Sequence, residues 1–151
     1  MNFDNPEDFY NVYAAFKRYQ MPVIKAKHVR WYDQEFWVPA GCTPETVVLE
    51  LGSGTGEFLS YLKLKRVNCF KGVEQDPSAI AVMEAGLNDH VFVGDIWDFF
   101  DQETSDISFG CVVMFDVLEH FSAGDGVRLL QKIKTVLKPC GRVVIRVPNM
   151  S

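Results

Sequence analysis

The chain has 151 residues, 48 % of them hydrophobic and 23 % charged, and carries a formal charge of −5. This length suits one compact domain with a sizeable core, and the balance is that of a globular rather than a disordered chain. No apolar run reaches the roughly 20 residues that cross a bilayer. The acidic balance weighs against non-specific nucleic-acid binding, which neutralises phosphates with Lys and Arg. The N-terminal MNFDNPEDFY lacks the basic and apolar regions of a secretory signal, so a cytoplasmic location with no membrane partner is expected.

In chain order, Phe9, Val12, Tyr13 and Phe16 recur at helical spacing. Met21-Pro22 interrupts the pattern, and a second helix is expected to end near Phe36. Lys17, Arg18, Lys25, Lys27 and Arg30 fall where no acidic residue intervenes. They read as a solvated helix face, with an electrostatic guide for an anionic substrate as the alternative. The turn-rich VPAGCTP over 38–44 marks a boundary, dividing a helical cap or lid segment (1–40) from the main domain (41–151). Aromatic residues of the first segment, including Tyr10, Tyr13, Tyr19, Trp31 and Tyr32, are candidates for a lid, though such spacing also serves core packing.

From Val47 onward, strands and helices alternate. Strands are expected over 47–51, 69–74, 90–93, 108–114 and 142–147, with helices over about 57–65 and from Asp76-Pro77 to about Ala85. A longer helix is expected to present Val127, Leu130, Ile133, Val136 and Leu137 on one face. This order gives a doubly wound, mostly parallel α/β sheet, with ligands at the carboxyl ends of its strands. Cys42, Cys69, Cys111 and Cys140 are too scattered for a zinc site or disulfide framework. Reduced thiols are expected, with Cys69 and Cys111 as small buried hydrophobes.

Val48-Leu49-Glu50-Leu51-Gly52-Ser53-Gly54-Thr55-Gly56-Glu57 carries the strongest signal, since glycines at alternate positions permit a sharp turn and close approach of a ligand. A dinucleotide loop wants a third glycine where Glu57 stands, and a carboxylate there would oppose a pyrophosphate. A phosphate loop would end in Gly-Lys-Ser/Thr, which is missing. A nicotinamide-dependent oxidoreductase is therefore the weaker alternative.

The ExGxGxG pattern resembles motif I of the class I S-adenosylmethionine-dependent methyltransferases. Gly72-Val73-Glu74-Gln75-Asp76-Pro77 and Val93-Gly94-Asp95-Ile96 resemble that family's second and third strand ends, and VVMFDVLEH over 112–120 its fourth strand and following loop. Lys138-Pro139-Cys140-Gly141-Arg142 looks like its LKPGG turn, with Cys140 in place of a glycine and a different backbone angle in prospect. The resemblance implies S-adenosylmethionine as cofactor, held by Glu50, Gly52, Ser53, Gly54, Gly56, Glu74, Gln75, Asp95, Ile96 and Phe115. Glu74 would take the ribose hydroxyls, Asp95 the adenine amino group, and Ile96 the ring face.

The implied activity is methyl transfer to a small molecule or sugar at oxygen, with His120 as general base; a histidine that only fixes its loop is the structural alternative. Asp116-Val117-Leu118-Glu119-His120 partly matches a metal-binding ExxEH variant, and no metal is assigned. The layout is similar to UbiG-like, methyltransferase-23-like and glycan-modifying bacterial enzymes. A catalytically silent cofactor-binding module is the alternative from another class. The family's sheet has seven strands, so the last two are expected to be missing. A truncated chain whose exposed fifth-strand edge is open to self-association is then expected.

Overall fold

The computed structural model describes residues 18–102 and 107–149. The amphipathic pattern around Phe9 and Phe16, and the lid candidates Tyr10 and Tyr13, lie outside the described residues. Helix α1 (Ala26–Tyr32) runs into a π-helical turn over Asp33–Trp37. There follow β1 (Val48–Leu51), α2 (Glu57–Leu64), β2 (Phe70–Glu74), α3 (Pro77–Ile80) and β3 (Val91–Val93). Then come α4 (Ile96–Gln102), β4 (Phe109–Phe115), α5 (Ala123–Val136) and β5 (Leu137–Arg146).

The five strands pair in parallel in the order β3-β2-β1-β4-β5, the doubly wound arrangement expected from the sequence. Strand order reverses between β1 and β4, so the chain diverges there and opens a crevice at the strands' carboxyl ends. Alternation along the strands divides the core into two layers. Val48, Phe70, Cys111 and Val113 pack with Tyr32, Phe36, Phe58 and Tyr61 on one face of the sheet. Leu49, Leu51, Val73, Val112 and Met114 pack with Phe99, Leu129 and Ile133 on the other.

The N-terminal helix belongs to the first layer. Tyr32 lies 4.9 Å from the Tyr61 ring and 5.2 Å from that of Phe58, and Phe36 is fully buried. Asp33 accepts from the Tyr61 hydroxyl at 2.7 Å and pairs with Lys65 at 3.0 Å. Those two partners, Tyr61 first, hold its carboxyl below the usual range.

Three expectations are corrected. The helix after Asp76 is short, although Asp76 caps it as foreseen by accepting from Ser78 N at 2.9 Å. Beyond Ile80 the backbone continues in tighter i to i+3 steps, which carry Met83 and Leu87 into the core and bring Glu84 to Ser60 and Lys63 of α2. On α5 the buried face is Gly126, Leu129, Ile133 and Val136, while Val127 and Leu130 are exposed. A stripe at strict three-residue spacing drifts round a 3.6-residue helix and cannot stay on one face. Among the cysteines, Cys111 is buried as expected, but Cys69 is exposed and Cys42 takes the second buried place. Cys69 lies in the turn before β2, where its carbonyl accepts from Val48 N.

At the start of β5, Leu137 pairs with Phe109, the chain bulges, and pairing resumes at Arg142 opposite Cys111. Cys140 sits in this bulge with φ 62°, the left-handed conformation that a glycine adopts at no steric cost. The different backbone angle considered for a cysteine here is not taken.

Candidate functional site

The loop after β1 is locked to the end of β2. Gly52 N and Ser53 N both donate to the Val73 carbonyl, at 2.9 and 3.0 Å, and the Ser53 hydroxyl donates to the same oxygen at 3.3 Å. Gly52, Gly54 and Gly56 all have positive φ. At Gly52 a side chain is excluded twice over, because an added Cβ would also stand 2.5 Å from Val117 Cγ2. Gly72 in β2 is a second close approach, with its Cβ position 2.5 Å from Ser53 Oγ and 2.9 Å from Leu59 Cδ1. Gly72→Ala will therefore push Ser53 off β2 and lower stability by roughly 1–3 kcal/mol. Urea unfolding measures this, and a midpoint equal to wild type would remove the packing role.

Three carboxylates surround the loop, each in a different state. Glu50 is only 3 % exposed, and its Oε2 has no hydrogen-bond partner among the described residues. Burial, then the charges of Glu74 and Glu57, push its carboxyl well above the usual range. Glu74 is half-buried and already oriented: one oxygen accepts from Gly54 N at 2.7 Å and the other from Asp76 N at 2.8 Å. A carboxylate has about four acceptor sites, so lone pairs remain for a ligand. Glu57 accepts from the Tyr32 hydroxyl at 3.0 Å. Burial, followed by the Glu57 charge, pushes the Tyr32 phenol up, so it stays a donor.

The other candidates border the same end of the sheet. Asp95 accepts from Trp97 N at 2.6 Å and fixes the start of α4, where half-buried Ile96 follows. Gln75 is exposed just beyond Glu74. Phe115, half-buried at the end of β4, lies within 6.0 Å of the Trp31, Tyr32 and Phe58 rings. Asp116 has φ 56° and is gripped through both carboxylate oxygens by Arg146. The guanidinium lies 5.0 Å from the Trp31 ring centre and 5.1 Å from that of Phe115. Asp116 is thus committed to Arg146, while Glu119 and His120 are exposed in a 3-10 turn over Leu118–His120. Among the described residues no group of three or more His, Cys, Asp or Glu is placed to hold a metal.

Three contributors carried no assigned site role in the sequence: Val117 against Gly52, Gly72 beneath Ser53, and Arg146 on Asp116, while Tyr32, a lid candidate, is buried and donates to Glu57. Only Gly72 left a local sign, a glycine inside a strand. Tyr19, a lid candidate, donates to Asp76 at 3.0 Å and so reaches the end of β2. Two concavities of about 370 and 480 Å³ lie elsewhere, lined in part by Ala40 and Arg142, and include none of the carboxylates.

A family model described as a methyltransferase domain matches residues 38–151, from before β1 through the last strand. The chain belongs to this methyltransferase family. No curated protein matches the sequence. Among solved structures, a SAM-dependent methyltransferase from Archaeoglobus fulgidus shares 26 % identity with a TM-score of 0.67, over 95 % of this chain and 60 % of its own. A SAM-dependent methyltransferase from Geobacter sulfurreducens, in complex with S-adenosyl-L-homocysteine, is 20 % identical with a TM-score of 0.59 (95 % and 56 % covered). The sugar N-methyltransferase KedS8 from a Streptoalloteichus species is 20 % identical with a TM-score of 0.60 (98 % and 56 % covered). This methyltransferase domain therefore spans less than two thirds of the length of each of these neighbours. No helix among its described residues is long and apolar enough to cross a membrane.

Proposed function

We propose that the protein binds S-adenosylmethionine at the carboxyl ends of β1 to β4 and transfers its methyl group to a hydroxyl oxygen of a small molecule or sugar. Glu50 carries this reading: a buried carboxyl beside a glycine loop, with one oxygen unpartnered among the described residues, suits a cationic ligand that would favour its charged form. Glu57, where a dinucleotide loop wants its third glycine, would oppose a pyrophosphate and separates the proposal from a nicotinamide cofactor.

In this reading, Gly52, Ser53, Gly54 and Gly56 let the cofactor approach the backbone. Glu50 faces its ammonium group, and Glu74 accepts from the two ribose hydroxyls. Asp95 and Ile96 take the adenine edge and face, with Gln75 and Phe115 bordering the same crevice. The cofactor supplies an activated methyl on a sulfonium, so the protein's task is alignment and exclusion of water. His120, exposed on the turn after β4, is proposed to take the acceptor's proton. The segment up to residue 40 serves as cap; the Tyr19–Asp76 bond supports that placement. An anionic acceptor and self-association have thinner support: Lys25, Lys27 and Arg30 are exposed, and the outer side of β5 has no neighbouring strand among the described residues.

Calorimetric titration with S-adenosylmethionine is the test. Saturable binding is expected, and no heat from folded protein at any temperature tried would refute the proposal. On an acceptor panel scored by S-adenosylhomocysteine release, His120→Ala is expected to lower turnover roughly 10²–10⁴-fold with cofactor affinity unchanged. Binding without turnover on any acceptor would favour a silent module.

A further inference from the structure

The proposed cofactor contacts concentrate on Glu50 of β1, Glu74 of β2 and Asp95 after β3, while β4 and β5 lie on the other side of β1. An acceptor that meets the methyl group is left the carboxyl ends of β4 and β5, beside the turn that carries His120. Phe115 and Arg146 stand in register at those ends. Arg146 is held there in one pose. Its Nε donates to Asp116 Oδ1 at 3.2 Å, and its Nη2 donates to Asp116 Oδ2. The guanidinium also lies 5.0 Å from the Trp31 ring centre and 5.1 Å from that of Phe115.

A guanidinium has five N–H donors, and Asp116 occupies two of them on its Nε side. Nη1 has no hydrogen-bond partner among the described residues, and the Arg146 side chain is 43 % exposed. The outer fork, Nη1 with the second hydrogen of Nη2, is thus oriented and open. Asp116 offsets the Arg146 charge, but Lys27 supplies a second cation. Lys27 and Trp31 are four residues apart in α1, so their side chains are neighbours on one helix face. Lys27 is exposed and makes no ion pair among the described residues.

We propose that Arg146, with Lys27, forms an oxyanion subsite that holds a carboxylate or phosphate group of the methyl acceptor. Its role in methyl transfer rests on the function proposed above; the anion site itself does not. The outer fork matches two oxygens of either group. Asp116 and the two rings fix the guanidinium in advance, so little side-chain freedom is lost when the anion arrives. Gripping the acceptor at a charged group away from the reacting oxygen is a means of alignment.

The test is two-dimensional NMR of the full chain, titrated with benzoate, inorganic phosphate and neutral benzamide. Saturable shifts of the Arg146 Nε–H and Trp31 indole N–H signals are expected with benzoate, phosphate or both, and none with benzamide. Whichever anion acts identifies the acceptor's group. Arg142, exposed on the same strand without an ion pair among the described residues, should stay still. Arg146→Lys keeps the charge, loses the fork and should bind the anion roughly tenfold more weakly. Lys27→Ala, which removes no ion pair, should weaken binding roughly two- to fivefold. The subsite is refuted if neither anion gives a saturable shift, if benzamide matches them, or if Arg142 responds as Arg146 does. S-adenosylhomocysteine added to the same samples keeps the two readings apart. A shift of the Gly54 N–H without an anion response at Arg146 refutes the subsite alone. An anion response without any Gly54 shift refutes the cofactor reading and leaves the anion site standing.

Discussion

Glu50→Gln will make the empty protein more stable at neutral pH and its affinity for S-adenosylmethionine weaker. The native Glu50 carboxyl titrates above its unfolded value because burial and two neighbouring carboxylates oppose its charge. As pH rises past the unfolded value of about 4.3, the unfolded chain releases this proton while the native protein keeps it. Stability therefore falls across the window up to the native value, at up to about 1.4 kcal/mol per pH unit, and is fully retained below it. Glutamine has no such titration. The variant should exceed wild type at neutral pH, with the difference narrowing as the pH falls toward 4. Urea midpoints at the two pH values give the comparison, and parallel pH profiles would contradict the assignment. A cationic ligand favours the charged carboxylate, so wild-type binding should release a proton and tighten as pH rises. Glu50→Gln should bind at least about tenfold more weakly and release no proton, which calorimetry in buffers of different ionisation enthalpy will show.

Glu74→Ala should be the more damaging change to binding. Its two oxygens fix Gly54 N and Asp76 N, so the substitution frees the loop as well as removing the proposed acceptors for the ribose. A loss of about 2–3 kcal/mol, close to 100-fold in affinity, is expected from charge-assisted hydrogen bonds. Circular dichroism and urea unfolding on the same sample separate lost binding from lost fold. Glu74→Gln, with one acceptor oxygen in place of two, should fall between alanine and wild type. Unchanged affinity in the alanine variant would remove Glu74 from the ribose role.

Local pattern made the sheet legible. VLEL, FKGVE and FGCVVMF are short, apolar and bounded by turn residues, and each forms a strand within a residue or so of where its composition places it. The glycine loop and the Asp76-Pro77 helix start were equally readable, because backbone conformation there depends on the residues themselves. Contacts between distant segments were not. Tyr32 meets Glu57 across 25 positions and Arg146 meets Asp116 across 30, and nothing in either local sequence names its partner. The exposure of Val127 and Leu130 was missed for a related reason. Leu129, Ile133 and Val136 pack with strand residues of the sheet, so the rotation of α5 is set by contacts from outside the helix.

Placing Tyr32 and Phe36 in the core has a consequence for where the folding unit begins. The match to the methyltransferase-domain family starts at residue 38, yet the rings that cover Phe58 and Tyr61 come from residues before that point. Excising the chain at the edge of the likeness would strip an aromatic wedge from beneath α2 and leave its inner face wet. The cooperative unit of this protein therefore begins before the family match does, at an edge that packing sets.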